Sequence, residues 1–311
     1  MTHILVTGGA GYIGSVLVPK LLDLNYKVTV IDNFMYKQQS LAHVVRNNNL
    51  RIIYGDVRDT NLMLENLSRA DVILPLAAIV GAPACAKDPV TATSINKDSV
   101  LWLLEQLSES QQIVMPTTNS AYGSGGIDNL CDELSPLSPL SQYAKEKVLI
   151  EEVLMQKQNA TSLRLATVFG VSPRMRLDLL VNNFVYRAFK DKFVVLFEGH
   201  FKRNYVHVQD VADAFVFAIN NYELVAGEIF NFGLSSANIS KVELCQEIKL
   251  QVPDFVYLES PFSKDPDQRN YVVSNRKIES AGLTARINLK EGINELLKGM
   301  GMFNFNNFSN I

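Results

Sequence analysis

The chain has 311 residues, of which 47% are hydrophobic and 20% are charged, and its formal net charge is −3 at pH 7. This composition is typical of a globular protein with a sizeable core and excludes a disordered or fibrous chain. Because a slightly acidic chain lacks the basic surface that nucleic-acid backbones require, we expect no nucleic-acid partner.

The three cysteines, Cys85, Cys131 and Cys245, are too scattered for a disulfide framework or a cysteine-rich metal site, and the four histidines are equally dispersed. We therefore expect reduced thiols and no metal. The chain starts on a strand-like run without a basic or cleavable leader, and its longest apolar stretch, residues 72–86, contains two prolines and is too short to span a bilayer. The expectation is a cytoplasmic protein without a membrane partner.

The first half of the chain alternates short β-branched runs with helical periodicity. It predicts a strand, a helix and a second strand at 3–7, 13–25 and 27–32, and further strands at 50–55, 71–77, 111–116 and 161–166. Such alternation favours parallel strands joined by right-handed crossovers. The sequence therefore predicts an α/β fold of Rossmann type, a doubly wound parallel sheet.

After about residue 170 the alternation loosens. Helices are predicted at 174–189 and 209–222, and strands at 192–197 and 204–208. We expect a nucleotide-binding domain over residues 1–170 and a smaller substrate-binding lobe over residues 171–311, with the part near 204–222 returning to the main sheet. The tail at 302–311 is rich in Asn and Phe and is expected to be docked or frayed.

The stretch GGAGYIG places Gly8, Gly11 and Gly14 between the first strand and the first helix. Glycines here let backbone amides approach a pyrophosphate at a helix N-terminus, although three glycines alone can mark no more than a tight turn. Asp32 ends the second strand 18 residues after Gly14. A carboxylate there accepts hydrogen bonds from the adenosine ribose and repels a 2′-phosphate. A helix cap is the alternative for Asp32, but the combination predicts NAD.

Further cofactor contacts are predicted around these two features. The glycine turn also contains Tyr12 and Ile13, and Asn33 follows Asp32 at the tip of the second strand. The stretch GDVRD, at the tip of the third strand, predicts an adenine-side loop with Asp56 and Val57.

Tyr143 and Lys147 stand four residues apart in SQYAKEK, which is typical of a helix, so both project from one face. A lysine close to a tyrosine hydroxyl stabilises the phenolate and lowers its pKa, which makes the tyrosine a general base for a substrate alcohol. This spacing also arises by chance on solvated helices. The polar stretch TTNSAYG, directly after the predicted strand at 111–116, adds Thr118, Asn119 and Ser120.

The glycine pattern, the threonine before a YG pair and the Tyr-x-x-x-Lys pair together resemble the extended short-chain dehydrogenases, the nucleotide-sugar epimerase/dehydratase family, over nearly the whole chain. The resemblance implies that Thr118 hydrogen-bonds the reacting sugar oxygen, that Tyr143 is the base, and that Lys147 activates it and binds the nicotinamide ribose. Both Tyr143 and Lys147 are thereby also cofactor ligands. It further implies that the segment after the fourth strand borders the cofactor at Leu76, Ala77 and Ala78.

The same resemblance implies a substrate site for a nucleoside diphosphate in the second half. Its residues would be Arg174, Arg176, Asn182, Arg203 and Arg269, because the guanidinium fork suits bidentate phosphate binding. A surface ion pair is an equal alternative for Arg174. Asn119 and Ser120 are predicted to hydrogen-bond the sugar.

The 4,6-dehydratases of this family carry acidic residues after the catalytic threonine, because elimination of water needs a general acid and a base, and the decarboxylases keep a glutamate there. Asn119 and Ser120 cannot ionise near neutral pH, so both reactions are unexpected.

Residues 165–184 and 265–275 resemble the GDP-heptose 4-dehydrogenases of Campylobacter capsule synthesis.

The resemblance to this subgroup implies NAD-dependent oxidation at C4 of GDP-D-glycero-α-D-manno-heptose for a surface polysaccharide. A nucleotide-sugar 4-epimerase that uses the same residues is one alternative, and a non-catalytic NAD-sensing protein is another. The family also implies a homodimer through helices near 93–109 and 138–157, although the apolar residues there could equally pack on their own sheet.

Overall fold

The computed structural model describes residues 1–124, 130–260 and 269–303. Residues 304–311 of the predicted docked or frayed tail lie outside the described residues. In the ranges described, no helix combines the length and the apolar character needed to cross a membrane.

The strands are short and occur along the whole chain. They are β1 (His3–Thr7), β2 (Lys27–Asp32), β3 (Leu50–Tyr54), β4 (Val72–Pro75), β5 (Gln112–Thr118), β6 (Leu130–Cys131), β7 (Ala160–Leu165), β8 (Thr167–Phe169), β9 (Phe193–Leu196), β10 (Lys202–His207), β11 (Glu228–Phe232), β12 (Asn238–Ser240), β13 (Val256–Glu259) and β14 (Val272–Val273).

The α-helices alternate with these strands. They are α1 (Gly14–Asp23), α2 (Thr60–Leu67), α3 (Ala82–Lys87), α4 (Pro89–Thr93), α5 (Ser99–Gln106), α6 (Gln142–Leu154), α7 (Leu180–Lys190), α8 (Val208–Asn220), α9 (Tyr222–Val225), α10 (Lys241–Gln251), α11 (Arg276–Ser280) and α12 (Leu289–Gly299). A π-helical turn, Ser94–Asp98, joins α4 to α5, and a 3-10 turn, Asn119–Tyr122, follows β5.

Seven strands form the main sheet in the order β11, β7, β5, β4, β1, β2, β3, and every neighbouring pair is parallel. The predicted doubly wound parallel sheet is confirmed. Buried residues of β1 alternate between its faces: Ile4 and Val6 pack in the cluster that contains α1 and α8, whereas Leu5 packs in the cluster that contains α2, α5 and α6. The strand order reverses between β1 and β4, where sheets of this kind bind ligands at their C-terminal edge.

The chain returns to the main sheet later than predicted. β10 pairs with β8 and β12 in a separate three-stranded sheet, and the strand that joins the main sheet is β11, beside β7. Within the segment 204–222, α8 packs against the main sheet, and its buried apolar residues lie in one cluster with those of α1. The reason is that β7 pairs with β5 on one side and with β11 on the other, which leaves no edge there for β10.

The helix predicted over 174–189 begins only at Leu180. Residues 174–179 instead form a non-helical segment whose main-chain carbonyls are taken by side chains of α7. Asn182 Nδ2 donates to the Arg176 carbonyl at 2.9 Å, and Asn183 Nδ2 donates to the Leu177 carbonyl at 3.1 Å. These tertiary hydrogen bonds outweigh the local helical periodicity.

Candidate active site

The glycine turn after β1 requires glycine for two reasons. Gly8 has a φ of 67°, in the left-handed region, and a Cβ there would lie 2.6 Å from the backbone nitrogen of Ala77. A Cβ on Gly14 would lie 2.6 Å from the Cα of Gly9. The turn therefore brings the N-terminus of α1 against the end of β4.

A cleft of about 560 Å³ begins at this turn and follows the C-terminal edge of the sheet. The predicted cofactor residues that line it are Gly8, Gly11, Asp32, Asn33, Asp56, Val57, Leu76, Ala77 and Ala78. Tyr36, Gln38, Ile79 and Ile95 also line it, and the sequence analysis missed them. Of these four, only Tyr36 and Gln38 carried a sequence signal, which was their position shortly after Asp32.

Asp32 lies on the wall of this cleft at the end of β2. Its carboxylate accepts hydrogen bonds from the Phe34 amide at 2.8 Å, the Ala10 amide at 3.0 Å and Gln38 Nε2 at 3.2 Å. Burial raises the pKa of Asp32, and these three hydrogen bonds act against that rise. The carboxylate holds a loop and the glycine turn, so the alternative of a helix cap is not what the structure shows.

Tyr12 and Asn182 tie the glycine turn to the second half of the chain. The Tyr12 hydroxyl donates to the Gly170 carbonyl at 2.7 Å and accepts from Asn182 Nδ2 at 3.2 Å. Asn182 Oδ1 accepts from the Gly170 amide at 3.0 Å, and the side chain is fully buried. Because both amide atoms are engaged inside the protein, the structure gives Asn182 a supporting role in place of the predicted phosphate contact. Ile13 precedes the first residue of α1 and is packed against the core.

Tyr143 and Lys147 lie on α6, as predicted, in its first and second turns. Ser141 begins this helix, since its side chain accepts from the Ala144 amide at 3.2 Å. Lys147 is only 4% exposed; its Nζ donates to the Pro116 carbonyl at 3.1 Å and lies 5.9 Å from the centroid of the Tyr143 ring. The two side chains are therefore neighbours on one face of α6, beside the end of β5.

The pKa of Tyr143 differs in direction from the prediction. Burial raises it to about 12, the neighbouring Cys85 acts in the same sense, and Arg176 and Arg269 act against them. Burial likewise lowers the pKa of Lys147 to about 8. The prediction considered only the charge of the lysine, whereas desolvation disfavours the charged form of both groups. The Lys147 ammonium, moreover, donates to a main-chain carbonyl.

Thr118, Asn119 and Ser120 lie where β5 passes into its 3-10 turn. Thr118 Oγ1 donates to Ser120 Oγ at 2.9 Å and accepts from the Ser120 amide at 3.1 Å. Arg269 also donates to Ser120 Oγ. In the part of the chain that the structure describes, neither amide atom of the fully buried Asn119 side chain has a hydrogen-bond partner. The structure thus brings Thr118, Ser120 and Arg269 together.

The predicted arginines separate into two groups. Arg203 is 3% exposed in β10, and both Arg203 and Arg269 oppose the burial that raises the pKa of Tyr205. Arg176 forms an ion pair of 2.5 Å with Asp178. Arg203 and Arg269 therefore converge near Tyr205 of β10, whereas Arg176 is paired with Asp178.

Arg174 and Arg176 lie beside the cofactor cleft. The Arg174 guanidinium is 4.5 Å from the centroid of the Tyr36 ring, which lines the cleft. Arg176 donates to the Val80 carbonyl at 3.4 Å, just beyond the cleft-lining segment after β4. Arg174 is 4% exposed, so it does not lie on the surface as the ion-pair alternative required.

Comparison with known proteins agrees with this geometry. The family model of the NAD dependent epimerase/dehydratase family matches residues 4–233. The chain belongs to this family. It is 29% identical over 310 residues to a putative UDP-glucose 4-epimerase of Methanocaldococcus jannaschii, covering 96% of this chain and 98% of that protein. It is also 29% identical over 287 residues to a UDP-N-acetyl-α-D-glucosaminuronate decarboxylase of Bacillus cytotoxicus, covering 88% of each chain.

Solved structures of other proteins share the fold. A UDP-glucose 4-epimerase from Thermotoga maritima, determined with UDP-glucose, superposes with a TM-score of 0.83 at 25% identity, over 97% of this chain and 99% of that one. A UDP-glucuronic acid 4-epimerase from Bacillus cereus, in complex with UDP-glucuronic acid and NAD, gives a TM-score of 0.86 at 22% identity, again over 97% and 99%.

The residues of this epimerase/dehydratase family member fit NAD, and the predicted cofactor is confirmed. The glycine turn leaves no room for a Cβ at Gly8, and the Asp32 carboxylate at the end of β2 would suit a ribose. When bound, NAD would supply a hydride acceptor. Asn96 Oδ1 accepts from the Ile79 amide and its Nδ2 donates to the Ile79 carbonyl, each at 2.8 Å, so Asn96 supports the cleft wall.

A buried polar network behind α6 was missed by the sequence analysis. Glu151 accepts from Arg164 Nη2 at 2.6 Å and Nε at 3.0 Å, from Ser162 Oγ at 2.6 Å and from Thr117 Oγ1 at 3.0 Å. Arg164 Nη1 also donates to the Tyr122 hydroxyl at 2.9 Å. The available signal was the four-residue spacing that continues from Lys147 to Glu151.

Proposed function

We propose that this enzyme uses NAD to oxidise C4 of a GDP-linked heptose or hexose, with GDP-D-glycero-α-D-manno-heptose as the substrate. The proposal rests on one juxtaposition: Tyr143 and Lys147 lie beside the end of β5, where Thr118 is followed by Asn119 and Ser120. These two residues stand where an elimination would need a carboxylate. The ionisable groups that shift the pKa of Tyr143 are Cys85 and two arginines.

In the proposed reaction Tyr143 accepts the proton of the C4 hydroxyl, and the Thr118 hydroxyl holds that oxygen. Tyr143 must act as a phenolate, although burial raises its pKa to about 12. Arg176 and Arg269 favour the phenolate, and we propose that the ammonium form of Lys147, 5.9 Å from the centroid of the Tyr143 ring, adds to their effect. Tyr143 is thus a base that depends on the positive charges around it.

The proposed substrate contacts use the remaining polar residues of this edge. Arg203 and Arg269 would bind the diphosphate, since both lie near β10 and Arg269 reaches Ser120. An amide buried without a hydrogen bond costs about 1–3 kcal/mol, so a sugar hydroxyl that pairs with Asn119 would recover this free energy. The unpartnered amide therefore supports a sugar contact there.

A 4-epimerase is the second candidate. It is favoured by the names of two relatives, the putative UDP-glucose 4-epimerase of Methanocaldococcus jannaschii and the UDP-glucose 4-epimerase of Thermotoga maritima. The same three catalytic residues would serve, and only the return of the hydride to the opposite face of the sugar would differ. A non-catalytic NAD-sensing role is disfavoured because Thr118, Tyr143 and Lys147 are all present.

The experiment is to incubate the purified protein with NAD and GDP-heptose, and in parallel with UDP-glucose, while recording absorbance at 340 nm and identifying the sugar by NMR. A 4-keto sugar with an equivalent of NADH supports the dehydrogenase. A C4-inverted sugar without net NADH supports the epimerase. NAD binding without turnover of either sugar would leave the sensing role.

Tyr143→Phe tests the assigned base. We expect turnover to be lost while NAD binding is kept, because only the hydroxyl is removed. The matched control is Tyr222→Phe on α9, which precedes the N-terminal end of β11 and so lies at the opposite edge of the main sheet. Substantial turnover by Tyr143→Phe would exclude Tyr143 as the base.

We also propose a cytoplasmic homodimer that pairs α5 and α6 of two copies. Leu103 and Leu104 of α5 pack on the main sheet of their own chain, which is the alternative to a dimer contact for these two residues. Apolar surface nevertheless remains on the outer side, since Leu149 of α6 is 42% exposed and Trp102 of α5 is half-buried. A second copy would cover this surface.

A further inference from the structure

We propose that Glu146 is a positioning residue whose negative charge keeps Lys147 in the ammonium form on which the proposed base depends. Its part in turnover rests on the proposed function. The two residues follow each other on α6, and each is only 4% exposed. Two opposite charges are therefore buried side by side next to Tyr143.

The described hydrogen-bond partners of Glu146 are neutral. Glu146 Oε1 accepts from Thr93 Oγ1 at 2.5 Å and from Gln142 Nε2 at 3.1 Å. Within residues 1–124, 130–260 and 269–303, no lysine, arginine or histidine forms an ion pair with Glu146. A buried carboxylate is costly unless a positive charge compensates it.

Lys147 has the same arrangement with the opposite sign. Its Nζ donates to the Pro116 carbonyl at 3.1 Å, which is a neutral partner. Opposite charges attract over several ångströms in the poorly screened interior of a protein, and successive residues of one helix cannot move apart. Each of these two buried charges therefore compensates the other.

This compensation matters near neutral pH. Burial lowers the pKa of Lys147 to about 8, and Glu146 acts against that fall. A lysine with this pKa is about nine-tenths ammonium at pH 7. An opposite charge close by commonly changes a pKa by about 1 to 3, so without Glu146 about half or less of Lys147 would be charged at pH 7.

The place of the carboxylate is fixed from a second helix. Thr93 ends α4, directly before the π-helical turn in which Ile95 lines the cofactor cleft. Its hydroxyl holds the Glu146 side chain against α4, and Tyr143 stands three residues before Glu146, one turn away on α6. The fold thus keeps the negative charge close to both proposed reaction groups.

The other titratable groups of the elements packed against α6 leave this compensation in place. Cys85 of α3 stays a neutral thiol, because burial raises its pKa and Glu146 acts in the same sense. Lys97 of the π-helical turn is paired with Asp98 at 3.1 Å, and Arg164 of β7 is paired with the carboxylate behind α6. The remaining charged residues of α3, α5 and this part of α6 are exposed: Lys87, Glu105, Lys145 and Glu152.

The test is an NMR titration of protein that carries isotope-labelled lysine, in which the Lys147 signal is identified by its absence from Lys147→Met. Glu146→Gln removes the charge and keeps an oxygen that can accept from Thr93. We expect the midpoint of Lys147 to fall by about one pH unit or more from its wild-type value. Glu152→Gln, which removes an exposed carboxylate of the same helix, is the matched control and should titrate as the wild type does.

An unchanged midpoint in Glu146→Gln would overturn the proposal, and so would an equal fall in Glu152→Gln. Glu146→Asp keeps the charge, so its midpoint should lie closer to that of the wild type; a midpoint as low as that of Glu146→Gln would count against a role of the charge. If Glu146→Gln does not fold, Glu146→Met also removes the charge, and the same midpoint decides.

The titration needs no substrate, so it is independent of the proposed reaction. Where the wild type turns the sugar over, the kcat of Glu146→Gln should be nearly that of the wild type at pH 6 and about fivefold lower at pH 8, because the ammonium fractions differ there. A ratio of the two kcat values that does not change with pH would remove Glu146 from the reaction. A wild type without turnover would count against the proposed function and not against the effect of Glu146 on Lys147.

Discussion

The buried ion pair between Glu151 and Arg164 provides a test of how α6 is held against the main sheet. The two side chains are 5% and 4% exposed, and their closest atoms are 2.6 Å apart. Glu151→Leu would leave the buried Arg164 cation without the carboxylate that compensates its charge. Removing one partner of a buried pair destabilises a protein by about 3–5 kcal/mol, because the remaining charge is uncompensated.

The expected change in melting temperature follows from the size of the chain. An unfolding entropy of about 2.1 cal/mol/K per residue, taken over 311 residues, corresponds to about 0.65 kcal/mol/K. A loss of about 4 kcal/mol therefore lowers the Tm by about 6 °C. Differential scanning calorimetry, together with urea unfolding at 25 °C, measures both quantities.

The double variant Glu151→Leu with Arg164→Met is the control. It removes both charges and replaces them with apolar side chains of similar volume, so it should be more stable than Glu151→Leu alone by about 2 kcal/mol or more. Thr117 and Ser162 lose an acceptor in either variant, but their hydroxyls lie 2.8 Å apart and can pair with each other. A loss below about 1 kcal/mol in the single variant, or strictly additive losses in the double, would refute the reasoning.

Three further outcomes are expected. Gly8→Ala should weaken NAD binding at least about 10-fold in a fluorescence titration, because a left-handed φ and a Cβ 2.6 Å from the Ala77 nitrogen force the turn to move; wild-type affinity would contradict this. Burial lowers the pKa of Lys147 from 10.5 to about 8, so between these pH values the native state binds fewer protons than the unfolded chain. The free energy of unfolding of the wild type should therefore rise by about 3 kcal/mol from pH 8 to pH 10.5, and Lys147→Met should lack this rise. Parallel urea-unfolding profiles for these two proteins would exclude that shift. Leu149→Glu should sediment as a monomer and the wild type as a dimer, and a monomeric wild type would remove the proposed pairing of α5 and α6.

Much of the fold followed from periodicity and from short motifs. The alternation of β-branched runs and helical segments is a property of the local chain, and it correctly predicted the parallel strands of the main sheet. Gly8 was recognisable because it stands with Gly11 and Gly14 between the first strand and the first helix. Asp32 and the Tyr143–Lys147 pair were recognisable because fixed spacing places them at a strand end and on one helix face.

Long-range contacts decided the remainder. Local spacing could not show that the Asn182 side chain hydrogen-bonds to Gly170, to Tyr12 and to the Arg176 carbonyl. It also could not show that the helix after Arg174 begins only at Leu180. Side chains far apart in sequence make these bonds, and only the packed chain brings them together. The same applies to Arg174, which the sequence assigned to the substrate and the structure places against Tyr36.

The sequence by itself determined the family fold and NAD as the cofactor, and it predicted the set of Thr118, Tyr143 and Lys147. Only the tertiary structure decided the environment of that set: desolvation raises the pKa of Tyr143 and lowers that of Lys147. The sequence gives the type of each residue, but the free energy of its charged form depends on its exposure to water and on the neighbouring charges, and both are set by the fold.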